Sequence, residues 1–349
     1  MHELEEHGGR LDLSTDPATR ESSLAMHLVP LRLILGLLSS LLLVMLLVKV
    51  YAKLTVGKCK SSVDMSGKTV IITGSNTGIG KETARELARR NARVILACRN
   101  QEKAREAAED ILKTTGRQVV CMKLDLCSFD SVKEFATQVI ASEDRLDVLI
   151  NNAGMMSPPK REETKDGFEV SFQTNHLGHF LLTLLLLDLL KKSRPSRIVV
   201  VGSVGQNFAN LDCDNLIFGE YWFPLLNYCA TKQCNMLFTV ELSRRLEGTG
   251  VIVNCCHPGL VRSDLVNRSQ DIQTWFMNRV LDAYGKSLWE GSQAVVYLAV
   301  SEDVRSVSGK YFADCKECSA VPWATNRMKA KRLWEESLKM TNVKEPAPA

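Results

Sequence analysis

The chain has 349 residues, of which 45% are hydrophobic and 24% are charged, and its formal net charge is +4. This length suits one large α/β domain with appendages or two small domains, and the apolar content excludes an intrinsically disordered chain. Basic and acidic side chains are mixed through most of the sequence, so no nucleic-acid-binding surface is indicated.

An uncharged, almost entirely aliphatic run from Leu33 to Val48 is the first distinct element of the chain. As an α-helix it would be roughly 24 Å long at about 1.5 Å per residue, whereas the hydrocarbon core of a bilayer is about 30 Å thick. Arg32 and Lys49 flank the run, and both side chains can reach the lipid headgroups and close this gap. We therefore predict a transmembrane or membrane-anchor helix over residues 24–50. A hairpin or in-plane anchor and a cleaved signal peptide stay open as alternatives.

The charges on either side of the apolar run predict its orientation. Four lysines follow within residues 49–60, and acidic side chains dominate the polar tail of residues 1–23. Positive charge favours the cytosolic side of a membrane, so the rest of the chain is expected to face the cytosol. The 11 cysteines are odd in number and irregularly spaced, which is typical of free thiols in a reducing compartment and agrees with that side.

A strand, a glycine turn and a helix follow one another from Lys68 onward. The apolar run Val70–Ile72 leads into residues 73–80, which contain three glycines, and a helical stretch continues to Arg90. A dinucleotide-binding fold requires this order, because glycines let the backbone approach a pyrophosphate at the N-terminus of the helix. Five further apolar runs are interpreted as strands with helical segments between them: residues 92–98, 119–124, 146–150, 198–201 and 251–255.

This alternation predicts a Rossmann-type, doubly wound parallel sheet with helices on both faces. We place this α/β domain at residues 67–320, after a basic linker at residues 51–66. A C-terminal helix and tail are expected over residues 321–349.

Neither the cysteines nor the histidines predict a metal site. Cys315 and Cys318 form a single CxxC pair without a second pair or paired histidines, and we interpret it as a turn with two thiols. His176 and His179 have no acidic partner at ligand spacing and are interpreted as helix packing residues.

Four motifs occur along the chain. Residues 73–80 read TGSNTGIG, residues 151–154 read NNAG, residues 228–232 read YCATK, and residues 258–263 read PGLVRS. These segments match the TGxxxGIG, NNAG, YxxxK and PG-x-x-x-[ST] signatures in the same order, so the chain resembles the short-chain dehydrogenase/reductase family from about residue 67 to residue 314. The resemblance implies an oxidoreductase that uses a nicotinamide dinucleotide to interconvert an alcohol and a carbonyl compound.

By resemblance, the cofactor contacts fall on these motifs and on the ends of the predicted strands. The predicted cofactor-binding residues are Gly74, Ser75, Asn76, Thr77, Gly78, Ile79, Gly80, Arg99, Asp125, Leu126, Asn152, Ala153, Gly154, Tyr228, Lys232, Pro258, Gly259, Val261 and Ser263. Arg99 follows the second strand, where NAD-dependent enzymes typically carry an acidic residue for the ribose hydroxyls. A cation there favours the additional phosphate of NADP(H), which is the predicted cofactor. Asp125 resembles the family residue that contacts the adenine amino group.

Tyr228 and Lys232 are four residues apart in a predicted helix and therefore lie on one face. A neighbouring ammonium is expected to lower the pKa of the phenol, which is ordinarily about 10, so that Tyr228 can donate or accept a proton. By resemblance, Ser203 hydrogen-bonds the substrate oxygen, and Asn175 holds a water that links Lys232 to solvent. These four residues are the predicted catalytic set.

Four segments are similar in sequence to the retinol dehydrogenase branch of the family: residues 96–99, 175–180, 257–263 and 309–315. The resemblance implies an enzyme at the endoplasmic reticulum or a related membrane that uses NADP(H) and acts on retinoids or other lipid aldehydes. The expected partners are therefore a lipophilic substrate of the retinol/retinal type and the bilayer, the latter through residues 24–50.

The loop after the fifth predicted strand departs from that branch. Residues 202–208 read GSVGQNF, where retinol dehydrogenases often carry paired serines followed by a histidine. Because this loop lies over the substrate in family members, a carbonyl reductase for steroid, isoprenoid or xenobiotic substrates stays open. A non-enzymatic NADP-binding membrane scaffold is a third alternative, and homodimer formation is also left open.

Overall fold

A computed structural model describes residues 33, 37, 39–40, 43–47, 49–51, 53–213, 216, 222–262, 279, 281–282 and 284–345. The chain divides into two units, residues 1–55 and residues 56–349. In the first unit, the described residues between 33 and 54 are helical. Over the described parts of the chain, no helix combines the length and the apolarity needed to cross a membrane. Much of the predicted anchor and the whole 1–23 tail lie outside the described residues, so both stay predictions.

The second unit is built on one eight-stranded sheet with the order β3-β2-β1-β4-β5-β6-β7-β8. Its strands are β1 (Thr69–Thr73), β2 (Arg93–Cys98), β3 (Val120–Lys123), β4 (Val148–Asn151), β5 (Ser196–Val201), β6 (Val251–His257), β7 (Tyr311–Ala313) and β8 (Lys316–Cys318). Strands β1 to β7 are mutually parallel, and β8 pairs antiparallel with β7. The order reverses between β1 and β4, which is where open α/β sheets bind ligands. The predicted Rossmann-type sheet is confirmed.

Helices cover both faces of this sheet. They are α1 (Gly78–Arg89), α2 (Gln101–Thr115), α3 (Phe129–Ser142), α4 (Val170–Phe172), α5 (Gly178–Leu185), α6 (Leu187–Lys192), α7 (Pro224–Arg245), α8 (Leu288–Val300) and α9 (Arg327–Thr341). A π-helical turn, Gln173–Leu177, joins α4 to α5. Strand β1 is buried along its whole length because side chains on both of its faces meet helices. Ile71 packs with the α3, α5, α7 and α9 layer, while Val70 and Ile72 pack with the α1, α2 and α8 layer.

The CxxC pair lies at the hairpin of β7 and β8. Asp314 and Cys315 form its two-residue turn, and both have positive φ angles, of 49° and 58°. The Cys315 thiol donates to the carbonyl of Gln293, and the Cys318 thiol donates to the carbonyl of Tyr311. Both cysteines are free thiols, but only Cys315 lies in the turn, whereas Cys318 ends β8; the interpretation as a turn with two thiols is therefore confirmed for Cys315 alone.

The C-terminal helix α9 is packed into the domain rather than lying on its surface. The Trp334 indole is 2% exposed and stacks on Phe238 with ring centroids 6.1 Å apart. The ring centroids of Trp334 and Phe180 are 5.0 Å apart in an edge-to-face arrangement, and the Arg245 guanidinium lies 4.4 Å from the centroid of the Trp334 ring. Helix α9 therefore completes the core beside α5 and α7, the helices to which Phe180 and Phe238 belong.

We predict that Trp334→Ala lowers the free energy of unfolding by about 3–5 kcal/mol, because it removes a buried aromatic ring and leaves a cavity against Phe180 and Phe238. Denaturant titration of the purified protein measures this loss. Met328→Ala, on the same helix but with 80% of the side chain exposed, is the matched control and should change stability by less than about 0.5 kcal/mol. Equal effects of the two substitutions would contradict the assigned packing of α9.

Candidate active site

The carboxyl ends of strands β1 to β6 open into one cavity of about 470 Å³. Because parallel strands place their carboxyl ends on one edge, the segments that follow them converge there. Most of the predicted cofactor residues line this cavity: Gly74, Asn76, Thr77, Gly78, Ile79, Gly80, Arg99, Asp125, Leu126, Asn152, Ala153, Gly154, Tyr228, Lys232 and Pro258.

The glycine turn after β1 lies directly against the NNAG segment after β4. The Asn152 side-chain amide donates to the carbonyl of Thr73 at 2.8 Å. A Cβ at Gly80 would lie 2.5 Å from Asn152 Nδ2, and a Cβ at Gly74, whose φ is +64°, would lie 2.9 Å from Cα of Ala153. Glycine is therefore required at both positions. At Gly78 the backbone faces open space, so the N-terminus of α1 can approach an anion in the cavity.

Two cations stand at the end of the cavity nearest β2. Arg99 follows β2, and Lys103 lies in the first turn of α2; both side chains are exposed and both line the cavity. No ion pair joins either of them to an acid in the described part of the chain. Sequence reasoning identified Arg99 but missed Lys103, although its position four residues after Arg99 was a usable signal. Asp125 lies nearby and accepts the backbone N–H of Cys127 at 3.0 Å.

These features fit a nicotinamide dinucleotide. The glycine turn and the N-terminus of α1 suit a pyrophosphate, and the two cations suit a further negative charge at the adenosine end. The opposite end of the cavity is bounded by Tyr228 and Lys232, which places titratable groups where the reactive end of such a ligand would lie.

Tyr228 and Lys232 both lie on α7, and the structure brings them together as predicted. The Tyr228 side chain is 9% exposed and that of Lys232 is 4% exposed. The Lys232 ammonium donates to the carbonyl of Val201, at the end of β5, at 2.9 Å. It lies 5.8 Å from the centroid of the Tyr228 ring. The helix is thereby fixed to the sheet through the same side chain that faces the cavity.

Burial dominates the ionisation of this pair. Desolvation raises the pKa of Tyr228 to about 12, and the nearby Ser203 hydroxyl opposes this rise only in part. Desolvation also lowers the pKa of Lys232 to about 8. The prediction that Lys232 lowers the phenol pKa is therefore wrong for this geometry, because burial outweighs an ammonium at this separation. At neutral pH, Tyr228 is protonated and suited to donate a proton.

Ser203 lies beside the phenol, although it does not itself line the cavity. Its Oγ accepts the backbone N–H of Gly205 at 3.1 Å. A Cβ placed on Gly205 would be 3.3 Å from Ser203 Oγ and 3.7 Å from Cε1 of Tyr228. The hydroxyl and the phenol therefore occupy one neighbourhood.

Asn175 lies behind Lys232, within the π-helical turn between α4 and α5. Its Oδ1 accepts the N–H of Met155, and its Nδ2 donates to Met155 O and to Thr231 Oγ1, all at 2.8–2.9 Å. A Cβ placed on Gly154 would be 3.3 Å from Lys232 Nζ and 3.4 Å from Asn175 Oδ1. All four predicted catalytic residues thus surround one end of the cavity.

Four predicted cofactor residues are placed differently. Ser75 is fully buried, and its hydroxyl donates to the carbonyl of Ile72 instead of facing the cavity. Gly259 donates its N–H to Nδ1 of His257, and Val261 is buried against α8; neither lines the cavity. Ser263 lies outside the described residues.

Comparison with known proteins assigns the chain to a family. The short chain dehydrogenase family model matches residues 68–273. The chain belongs to this family. Among curated short-chain dehydrogenase relatives, retinol dehydrogenase 12 of Bos taurus is 45% identical over 82% of this chain and 90% of its own length. Human retinol dehydrogenase 13 is 45% identical over 84% and 90% of the two chains, and mouse retinol dehydrogenase 14 is 45% identical over 80% and 87%.

Solved structures agree with this assignment. An uncharacterized protein from Mycobacterium paratuberculosis is 32% identical, with a TM-score of 0.67 over 83% of this chain and 100% of the other. A short-chain dehydrogenase from Shigella flexneri in complex with NADP is 26% identical, with a TM-score of 0.58 over 73% and 99% of the two chains. As a short-chain dehydrogenase, the protein is an oxidoreductase of the nicotinamide-dependent kind.

Proposed function

We propose that the protein is an NADP(H)-dependent oxidoreductase that interconverts a lipophilic alcohol with its aldehyde or ketone, of the retinol/retinal type. The observation that carries the proposal is the buried phenol of Tyr228, which lies beside Ser203 and Lys232 at one end of the cavity that the glycine turn lines. The retinol dehydrogenase relatives support the lipophilic substrate class.

In the proposed reaction, the glycine turn and Lys232 would hold NADPH, whose chemistry would be to supply a hydride to the carbonyl carbon of the substrate. Tyr228 donates its proton to the substrate oxygen, and Ser203 orients that oxygen by a hydrogen bond. A phenol with a pKa of about 12 remains protonated in the cytosol, and an alkoxide is basic enough to remove its proton. These properties favour carbonyl reduction. The cytosolic NADP(H) pool is largely reduced and would drive the reaction in the same direction.

Lys232 and Asn175 complete the site. One donor of the Lys232 amine is used by Val201, and the others are available to the ribose of the nicotinamide end. Because the pKa of Lys232 is lowered to about 8, this amine can exchange protons near neutral pH. We propose that Asn175, next to Gly154, helps to connect the amine to solvent so that the proton lost by Tyr228 is replaced.

Exposed apolar side chains in the segments that follow Ser203 and precede Tyr228 support a lipophilic substrate. Phe208, in the loop after Ser203, is 70% exposed, and Phe223 and Leu225, at the start of α7, are 57% and 63% exposed. Apolar side chains on the segments that carry a polar reaction centre suit a ligand with a long apolar body. The anchor predicted at residues 24–50 would hold this site at the endoplasmic reticulum membrane, on its cytosolic side, where such substrates dissolve.

A reductase assay with NADPH and a panel of carbonyl compounds tests this proposal. The panel contains retinal, an isoprenoid aldehyde, a steroid ketone and a small aromatic aldehyde. We expect retinal to have the largest kcat/KM, because the relatives named above are retinol dehydrogenases. If kcat/KM for the steroid or isoprenoid compound exceeds that for retinal by about tenfold or more, which corresponds to 1.4 kcal/mol, retinal is not the preferred substrate. The protein would then be the second candidate, a carbonyl reductase for steroid or isoprenoid substrates. Absence of turnover with the whole panel would contradict an enzymatic role.

Cofactor preference gives a second prediction. Arg99→Asp should reduce or invert the preference for NADPH over NADH, because the 2′-phosphate loses a charge-assisted contact worth about 1.5–3 kcal/mol, roughly 10- to 150-fold. Arg105→Asp makes the same charge change on an exposed position of α2 outside the cavity and is the matched control. Comparable kcat/KM for both cofactors in the unmodified protein would refute the role given to Arg99.

A further inference from the structure

His179 is a buried polar residue that the proposed reaction does not use. It lies one helical turn after Asn175, and its side chain is 3% exposed. Its ring Nδ1 is 3.2 Å from the carbonyl oxygen of Asn175, and its Nε2 is 2.8 Å from the hydroxyl of Thr73, at the end of β1. The ring therefore bridges the helix that carries a catalytic residue and the strand that leads into the glycine turn.

The hydrogen bonds of Thr73 determine which ring nitrogen carries the proton. Thr73 Oγ1 accepts the backbone N–H groups of Asn152 and Ala153, each at 2.9 Å, which uses both of its lone pairs. Its own hydrogen must then be donated, and His179 Nε2 at 2.8 Å is a nearer acceptor than the carbonyl of Ile150 at 3.4 Å. Nε2 is therefore unprotonated, and Nδ1–H donates to Asn175.

The ring keeps this neutral form at physiological pH. Burial lowers the pKa of His179 to about 4. The result is one continuous chain of hydrogen bonds that runs from the N–H groups of Asn152 and Ala153 through Thr73 and His179 to the carbonyl of Asn175. Both ends of the chain belong to the site: the first two residues line the cavity, and Asn175 lies next to Lys232.

We propose that His179 is a positioning residue that holds Asn175 in register with the cofactor-binding turn. The π-helical turn that contains Asn175 supports this role, because such turns are rare and occur frequently at functional sites. The kinetic part of the inference rests on the proposed function. The structural part, a coupling between the Asn152–Ala153 backbone and the Asn175 turn, does not.

Two substitutions break the bridge at different ends. In His179→Asn, the side-chain amide can replace Nδ1 and bond the carbonyl of Asn175, but it is too short to reach the hydroxyl of Thr73. In His179→Gln, the longer side-chain amide can replace Nε2 and bond that hydroxyl. We expect kcat to fall by about tenfold to a hundredfold in both variants, since displacement of a positioned group by about 1 Å has an effect of this size. NADPH affinity should fall by about threefold to tenfold in His179→Asn only, the value of one hydrogen bond to the turn.

Hydrogen exchange gives a readout that does not depend on turnover. The amides of Asn152 and Ala153 should exchange faster in His179→Asn than in His179→Gln, because only the former releases the Thr73 hydroxyl. Thr73→Val removes the acceptor of both amides directly, so its exchange rates give the upper limit against which the two His179 variants are compared.

Ser337→Ala is the matched control. Ser337 Oγ is 2.9 Å from Nε2 of His176, the other buried histidine of this segment, but it lies on α9, away from the cavity. This variant should lose stability while keeping kcat, NADPH affinity and the exchange of the two amides.

The positioning role would be overturned if His179→Asn left the exchange of the Asn152 and Ala153 amides unchanged and kept kcat within about twofold of the unmodified protein. A twofold change in kcat corresponds to about 0.4 kcal/mol. Altered exchange in a protein that reduces no carbonyl substrate would leave the bridge standing and refute the proposed function instead.

Discussion

Seven parallel strands end at the same edge of one sheet, and the site is formed mainly by the segments that follow six of them. Within that edge, the bond from the Lys232 amine to the carbonyl of Val201 fixes the catalytic helix to the end of β5. Burial of an amine costs free energy unless a polar partner compensates it, so this bond must form for α7 to pack where it does. The position of Tyr228, one turn earlier on the same helix, depends on it.

The same burial sets the chemistry of the site. No ion pair joins Lys232 to a carboxylate of the described residues, and removal from water therefore acts on both members of the pair. It favours the uncharged form of each group, which raises the pKa of the phenol and lowers that of the amine. A protonated phenol beside an amine that exchanges protons near neutral pH is consistent with the proposed donation and replacement of a proton.

Patterns that are local in sequence were enough to predict much of this molecule. The strands at Val70–Ile72 and residues 251–255 were predictable because each is an apolar run next to a turn. The glycine turn and the Tyr228–Lys232 pair were predictable because their spacing is short and specific. Strands β7 and β8 were missed, since three residues are too few to show a periodicity.

Properties that depend on distant contacts could not be predicted. The direction of the pKa shift at Tyr228 depends on burial created by the whole fold, and sequence reasoning gave the opposite sign. His179 was correctly interpreted as a buried packing residue, but its bridge to Thr73 joins positions 106 residues apart. The packing of Trp334 onto Phe180 and Phe238 also joins residues that are distant in sequence. The amphipathic pattern of a helix predicts which face is buried but not which residues that face contacts.

The central claim is that the Tyr228 phenol is the proton donor, and the turnover of Tyr228→Phe tests it most directly. Tyr297→Phe is the control, because that phenol contacts Asp303 on the surface and does not line the cavity. With saturating NADPH and the best carbonyl substrate, we expect Tyr228→Phe to lose about 10²- to 10⁴-fold in kcat, the usual contribution of a positioned acid, and to keep binding NADPH. Turnover of Tyr228→Phe equal to that of Tyr297→Phe would contradict the account.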